Sequence, residues 1–441
     1  MTQNTPVRDL YETFPFPARK PVAENPASLP LTRTDILGKV HHHVFGGRRD
    51  LGKGFRALVA GGGTGDSAIF LAAQMRSTDA DIVCLDISEA SLDIARQRAR
   101  SRGLESRIRW IHGSLLDAPR MGIGAFDYIS CLGVLHHLPD PDAGLRALAE
   151  VLAVDGGMGL MVYGRHGRAD IYAIQELMRL VNREGTDLRT QVANLKEVLR
   201  ALPPAHLLLR GRGRQQLEAL LADDANLVDT FLHMQDRAYT VPELYRFVEA
   251  AGLSLLNFTN FHETLRLEYE PDTYLGRQEL QSSLAPREAR ERQAIAELLH
   301  GHMYAHGFYA ARPGRCAASF LDPEMVPYFL TVAAAENAQR LRASGQVVVP
   351  LSSRNRFQFR PAAAALACLA LVDGERPLAR IWSEAASALK VSPEEVSAAA
   401  APDLERLNAL NWVFLRHKDC PAAPMLAYPF RGDAARIASN A

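Results

Sequence analysis

Between residues 55 and 165, short apolar runs alternate with stretches whose apolar positions recur every three or four residues. The runs at 56–60, 82–86, 108–112, 126–131 and 158–163 read as buried strands, and the repeats at 88–101 and 141–152 as amphipathic helices. Ser88 and Asp140 stand where N-caps belong. Strands alternating with helices predict a parallel sheet with right-handed crossovers. Residues 166–250 read as mostly helical, with Arg210-Gly-Arg-Gly-Arg214 as a basic loop. Residues 253–259 and 264–269 alternate and are expected to form the last two strands, an antiparallel pair at the sheet edge. Residues 276–345 look helical and connecting. From about 346 a hairpin-like pair (346–350 and 357–359) precedes helices at 361–371, 377–389 and 393–410 and a strand at 412–415. That order is the pattern of a winged helix. The expected divisions are an N-terminal arm over 1–50, an α/β domain over 51–275 with a helical insertion at about 166–250, a connector over 276–345, and a small unit over 346–441.

Composition narrows the function classes. The chain has 441 residues, with Lys plus Arg and Asp plus Glu both at 50. Such a balance gives no global attraction to nucleic acid or anionic membrane. The first residues lack a basic start and an apolar core, and no apolar run reaches the roughly 20 residues of a membrane helix. The five cysteines, Cys84, Cys131, Cys316, Cys368 and Cys420, are scattered and form no Cys-x-x-Cys. They suit a reducing, cytoplasmic setting better than a disulfide framework or a zinc site. His41-His-His43 has no paired acid or cysteine at ligand spacing, so a metal is not expected there; a helix against the cofactor cleft is. The final helix carries Glu394, Glu395, Asp403 and Glu405 against Arg406, which disfavours a DNA-reading winged helix.

The chemistry concentrates in Leu58-Val-Ala-Gly-Gly-Gly-Thr-Gly-Asp66 and in Asp86, at the end of the next strand. Gly61, Gly63 and Gly65 permit a tight turn with close backbone approach to a ligand, and Asp86 is placed to accept from a ribose diol. The spacing is neither that of a dinucleotide fingerprint nor that of a triphosphate loop. Past the third strand, Ser114 and Leu115 are candidates for an adenine edge, with Asp117 as an alternative. The fourth strand runs into Cys131-Leu-Gly-Val-Leu-His-His-Leu-Pro-Asp-Pro141, where His136 or His137 is a candidate general base at the ligand-binding edge of the sheet. Packing or capping is the competing role for either histidine.

Together, Val59–Gly65, Asp86, Gly113–Asp117 and Gly133–Pro141 resemble, in order and spacing, the successive motifs of class I S-adenosylmethionine-dependent methyltransferases. The resemblance covers roughly residues 50–165. It implies a doubly wound, seven-stranded Rossmann-like sheet and S-adenosylmethionine as cofactor. The methionine-moiety loop falls on Gly61, Gly63 and Gly65, and the remaining cofactor contacts on Asp86, Ile87, Ser114, Leu115 and Leu132. One departure is Val59, where the family commonly has an acid. A narrower likeness, carried by Tyr11-Glu-Thr-Phe-Pro-Phe-Pro17, Gly46-Gly-Arg-Arg-Asp50 and Asp229-Thr-Phe-Leu-His-Met-Gln-Asp-Arg-Ala-Tyr-Thr-Val-Pro-Glu243, is to bacterial methyltransferases often fused to tetratricopeptide repeats, which this chain lacks. It puts Tyr11, Phe14, Asp236, Arg237 and Tyr239 forward as substrate contacts and His233 as a third catalytic candidate. Asp236 and Arg237 equally suit a buried network bracing the insertion. Tyr11, Phe14 and Phe16 suit a lid over the sulfonium. No Asn/Asp-Pro-Pro-Tyr follows the fourth strand, which weighs against methylation of glutamine amides or exocyclic amines of nucleobases, and the Leu-His-His-Leu-Pro loop resembles those of small-molecule O-, C- or N-methyltransferases, so the expected acceptor is a small molecule. The C-terminal unit resembles peptide-binding winged-helix elements of peptide-modifying enzymes and the tail of some bacterial protein methyltransferases. A peptide or protein acceptor is therefore the alternative, and a non-catalytic cofactor-binding module the second.

Overall fold

The computed structural model describes residues 5–21, 29–259, 265–350 and 356–424. Its centre is a seven-stranded sheet of strands β1 (Arg56–Ala60), β2 (Asp81–Asp86), β3 (Ile108–His112), β4 (Phe126–Leu132), β5 (Leu152–Tyr163), β6 (Ser254–Thr259) and β7 (Ala305–Ala311), in the spatial order 3-2-1-4-5-7-6. The first five run parallel, and β7 lies antiparallel between β5 and β6. Strand order reverses beside β1, so the crevice past the carboxyl ends of β1 and β4 is where such sheets hold ligands. Ser88 and Asp140 cap the following helices through bonds from Ser91 N and Ala143 N.

The seventh strand differs from expectation. Residues 265–269 fold as a short 3-10 turn held by Leu265 N donating to Glu268, while position 264 lies outside the described residues. The strand itself, Ala305–Ala311, sits inside the stretch expected to be a helical connector. Every one of its residues is buried, because it is flanked by strands on both edges and covered on both faces, so it shows no two-residue alternation. The expected basic loop at 210–214 is also helical, inside Leu207–Leu221. Buried Leu208, Leu209, Leu217 and Leu221 hold that helix to the insertion's own core, outweighing its two glycines.

In the C-terminal part, the described residues contain the antiparallel pair β9 (Val347–Pro350) and β10 (Arg356–Phe359), helices Ala363–Ala370, Leu378–Leu389 and Pro393–Ala409, and strand β11 (Val413–His417). The strand β11 does not join that hairpin. It pairs antiparallel with β8 (Met325–Phe329), which precedes the unit in sequence. Helix Leu37–His43 lies against β11 rather than against the cofactor cleft. There His42 Nδ1 accepts from Leu415 N at 3.0 Å, His41 Nε2 lies 3.4 Å from Cys420 Sγ, and the His43 ring stacks on Tyr309. The histidine run thus serves as packing between the sheet and the C-terminal unit. Among the described residues no helix is long and apolar enough to cross a membrane.

Candidate active site

The glycine loop leaves β1 with positive φ at Gly61 (76°), Gly63 (50°) and Gly65 (95°), which explains the residue type at all three positions. Their missing side chains also make room for the protein itself. A Cβ at Gly61 would meet Val134, one at Gly65 would meet Ala95, and one at Gly63 would stand 2.5 Å from the Phe16 carbonyl oxygen. The N-terminal arm therefore crosses directly over the loop. Thr64 N donates to Phe16 O, Thr64 Oγ1 to Pro17 O at 2.8 Å, and Arg19 pairs with Asp66 at 2.8 Å. Upstream, Glu12 accepts from Glu89 N and Ala90 N at the start of the next helix, and Ser88 Oγ donates to Tyr11 O.

Beneath the arm lies a cavity of about 1330 Å³. Gly61, Gly63, Asp86, Ile87, Ser114, Leu115 and Leu132 all line it, so of the expected cofactor residues only Gly65 stands behind the wall. Asp86 is buried; each carboxylate oxygen takes one backbone N–H, from Ser88 at 2.8 Å and from Gly63 at 2.6 Å. Burial pushes its carboxyl above the usual range, against the pull of the Ser88, Gly63 and Ile87 amides and of His112. An ionised carboxylate has about four lone-pair sites, which these bonds do not exhaust. A vicinal diol supplies two O–H donors, and the chemistry of this wall therefore fits the ribose of S-adenosylmethionine. Ser114 Oγ is engaged in accepting from Leu116 N, capping the turn after β3. Asp117 lies on that turn, outside the cavity wall.

The three candidate histidines separate. His136 is buried with its ring 3.8 Å from that of Tyr163, neither ring nitrogen has a partner among the described residues, and it does not line the cavity. Burial holds its pKa well below the ordinary value, the state of a packing residue. His137 does line the cavity, its Nδ1 lies 2.9 Å from Gln235 O, and burial lowers its pKa to about 4. His233 stacks on His137 at 3.7 Å and accepts from Gln235 N through Nδ1; burial lowers its pKa to about 3. It sits behind His137, off the cavity wall.

Of the expected substrate contacts, Tyr11 alone lines the cavity, and its hydroxyl donates to Asp229 at 2.9 Å. Phe14 packs on the core of the helical insertion. Asp236 pairs with Arg168 at 2.8 Å and also accepts from Gln175 and Tyr172, a buried network that braces the insertion. Arg168 in turn lies 3.5 Å over the Tyr163 ring. Arg237 lies half-exposed over Tyr239, whose buried ring touches Phe247; neither residue reaches the cavity. Sequence reading passed over Asp229, Tyr163 and Tyr304, which do line it. Tyr163 ends β5 at the ligand edge, and Asp229 opens the very segment singled out for its likeness. Those positions were the available signals.

Residues 58–158 match a family model described as a methyltransferase domain. An uncharacterized protein of Synechococcus sp. is 33% identical over 308 residues, 69% of this chain and 71% of the relative. The methyltransferase GfsG of Streptomyces halstedii is 34% identical over 115 residues, covering 26% of this chain and 39% of that protein. Among solved structures, PKMT2 from Rickettsia typhi in complex with AdoHcy aligns with a TM-score of 0.56 at 15% identity, over 89% of this chain and 78% of that one, a likeness of fold. With its glycine loop, the acid that ends β2 and these relatives, the chain belongs to the class I S-adenosylmethionine-dependent methyltransferases and is of one family with the Synechococcus protein.

Proposed function

We propose that the chain methylates a small-molecule acceptor held in the same cavity as the cofactor. One observation carries this reading: the size of the cavity and the identity of its roof. Pockets for single drug-sized ligands run roughly 300–1,000 Å³. A space of about 1330 Å³, covered by Tyr11 and Phe16 of the arm and by Gln216, Leu220 and Asn226 of the insertion, accommodates a cofactor and a second small molecule. S-adenosylmethionine supplies a methyl group already activated on a sulfonium. What remains for the protein is positioning and exclusion of water. Gly61, Gly63, Asp86, Ile87, Ser114, Leu115 and Leu132 hold the cofactor in this reading. The arm, clamped by Thr64 and Asp66, keeps the chamber dry. His137, with Tyr11 and Asp229, faces the acceptor. Five free cysteines suit a cytoplasmic setting.

The test is incubation of the purified full chain with methyl-labelled S-adenosylmethionine and extract of the source cells, separated by size. Label in the small-molecule fraction, abolished in Asp86→Asn, is the expected result. Label confined to peptide or protein overturns the acceptor class and favours recruitment through residues beyond 346. Cofactor binding with no label in any fraction favours a binding module.

A further inference from the structure

The acceptor end of the cavity carries two buried hydrogen-bond acceptors that face each other with no donor between them. His137 Nδ1 lies 2.9 Å from the carbonyl oxygen of Gln235, which can only accept, so Nδ1 carries the ring hydrogen. Nε2 is then a bare lone pair, and it has no hydrogen-bond partner among the described residues. It lies 3.9 Å from Asp229 Oδ1. Asp229 is 5% exposed and His137 3%, and both line the cavity. The hydrogen bonds that Asp229 receives come from neutral phenols, Tyr11 on Oδ1 at 2.9 Å and Tyr163 on Oδ2 at 3.1 Å. Burial raises the pKa of the Asp229 carboxyl, and these bonds pull it back towards its ionised form. The stacked His233 accepts from Gln235 N through Nδ1, so it adds no charge, and Arg168 is already committed to Asp236.

Two acceptors this close need a ligand atom that carries two hydrogens. A hydroxyl acceptor has one hydrogen and satisfies one of them. A primary amine has two, and its lone pair stays free to form the new bond. A nitrogen about 2.9 Å from both atoms sees them roughly 85° apart, narrower than tetrahedral but bending each hydrogen bond by only about 12°. Resting on the small-molecule reading above, we propose that the methyl acceptor is a primary amine, bound as the free base with one N–H on Asp229 Oδ1 and the other on His137 Nε2. The proton of the ammonium form leaves to water before binding. Transfer forms the N–CH₃ bond and breaks the donor's S–CH₃ bond, whose electron pair stays on sulfur. The resulting secondary ammonium then gives up one proton to solvent on release. A secondary amine has a single N–H and leaves one of the two acceptors unsatisfied, so the product is monomethylated.

A matched pair of probes tests this: trifluoroethylamine, a weakly basic amine uncharged at pH 8, against trifluoroethanol. Fluorine NMR titration of the full chain, saturated with S-adenosylhomocysteine, reads each affinity without turnover. The amine should bind at least tenfold tighter than the alcohol. Asp229→Leu, which removes both acceptor oxygens, should erase that preference while keeping S-adenosylhomocysteine affinity, and Tyr11→Phe, which leaves the carboxylate, should retain it. If Asp229→Leu loses cofactor binding, His137→Phe decides in its place. Equal binding of the two probes, binding of neither because a water holds the site, or a preference that survives loss of either acceptor overturns the proposal. In the extract experiment, label on a hydroxyl or carbon of a small molecule sinks this inference and leaves the small-molecule reading standing. Label on protein alone sinks that reading itself.

Discussion

Gly63→Ala tests whether the glycine loop and the arm form one mechanical unit. At φ 50° Gly63 occupies the left-handed region, where a side chain costs about 1–2 kcal/mol. The added Cβ would lie 2.5 Å from Phe16 O, a backbone atom that cannot rotate aside. The cheapest relief is for the arm to lift. Lifting breaks Thr64 N to Phe16 O and Thr64 Oγ1 to Pro17 O, at about 1 kcal/mol each. It also loosens the half-exposed Arg19–Asp66 pair, worth well under 1 kcal/mol. Lifting thus costs about 2–3 kcal/mol, so an arm that lifts reports a clash of at least that size, which raises its open population by about two orders of magnitude. Hydrogen exchange of the Thr64 amide, with limited proteolysis at Arg19, reads this directly. Exchange and cleavage should accelerate at least a hundredfold while the core strands β1 and β4 stay protected. Unchanged protection of the arm would refute the coupling, and uniform loss of protection across the sheet would show that the loop matters to the fold alone.

His42→Ala removes the acceptor for the Leu415 amide and leaves a void between helix Leu37–His43 and β11. An unsatisfied buried N–H plus the lost packing should cost about 2–4 kcal/mol, read as a lower denaturation midpoint with cofactor affinity unchanged in the folded protein. Acid should destabilise the fold between pH 6.5 and 4. Burial lowers the pKa of His41 and His137 to about 4 and of His42 and His233 to about 3, so unfolding takes up protons as pH falls below 6.5, up to about 3–5 kcal/mol for each residue. Asp35, raised to about 6 by burial, acts in the opposite sense: its unfavourable ionisation sets in as pH rises from 3.8 to 6, so it offsets part of the loss. Denaturant titrations across this range check the sign; a fold as stable at pH 4.5 as at pH 7 would contradict neutral buried histidines.

The cofactor half was legible because its chemistry is backbone chemistry. Three glycines with positive φ and an acid at a strand end leave a local trace, and that trace located Gly61, Gly63, Asp86, Ile87, Ser114, Leu115 and Leu132 on one cavity. The proposed acceptor half is assembled from segments distant in sequence. Tyr11 meets Asp229 across 218 positions, and Tyr163 meets it across 66. No spacing rule connects them, and the local cues pointed to neighbours instead. Asp236 and Arg237 stood out by charge, yet one neutralises Arg168 behind the wall and the other lies on the surface. The seventh strand escaped for the same reason in reverse: β7 is buried so completely that its residues need no alternation, whereas 265–269 alternate and form only a turn. His137 shows where the two kinds of information meet. Sequence placed it at the ligand edge beside an equivalent His136. Only burial and partners separate a ring packed on Tyr163 from one whose bare nitrogen faces Asp229. The fold therefore follows from periodicity and the cofactor site from loop chemistry. The proposed acceptor site is a property of tertiary contacts, and the arm is what joins the two: Tyr11 accepts from Ser88, two residues past Asp86, and donates to Asp229 at the other end of the cavity.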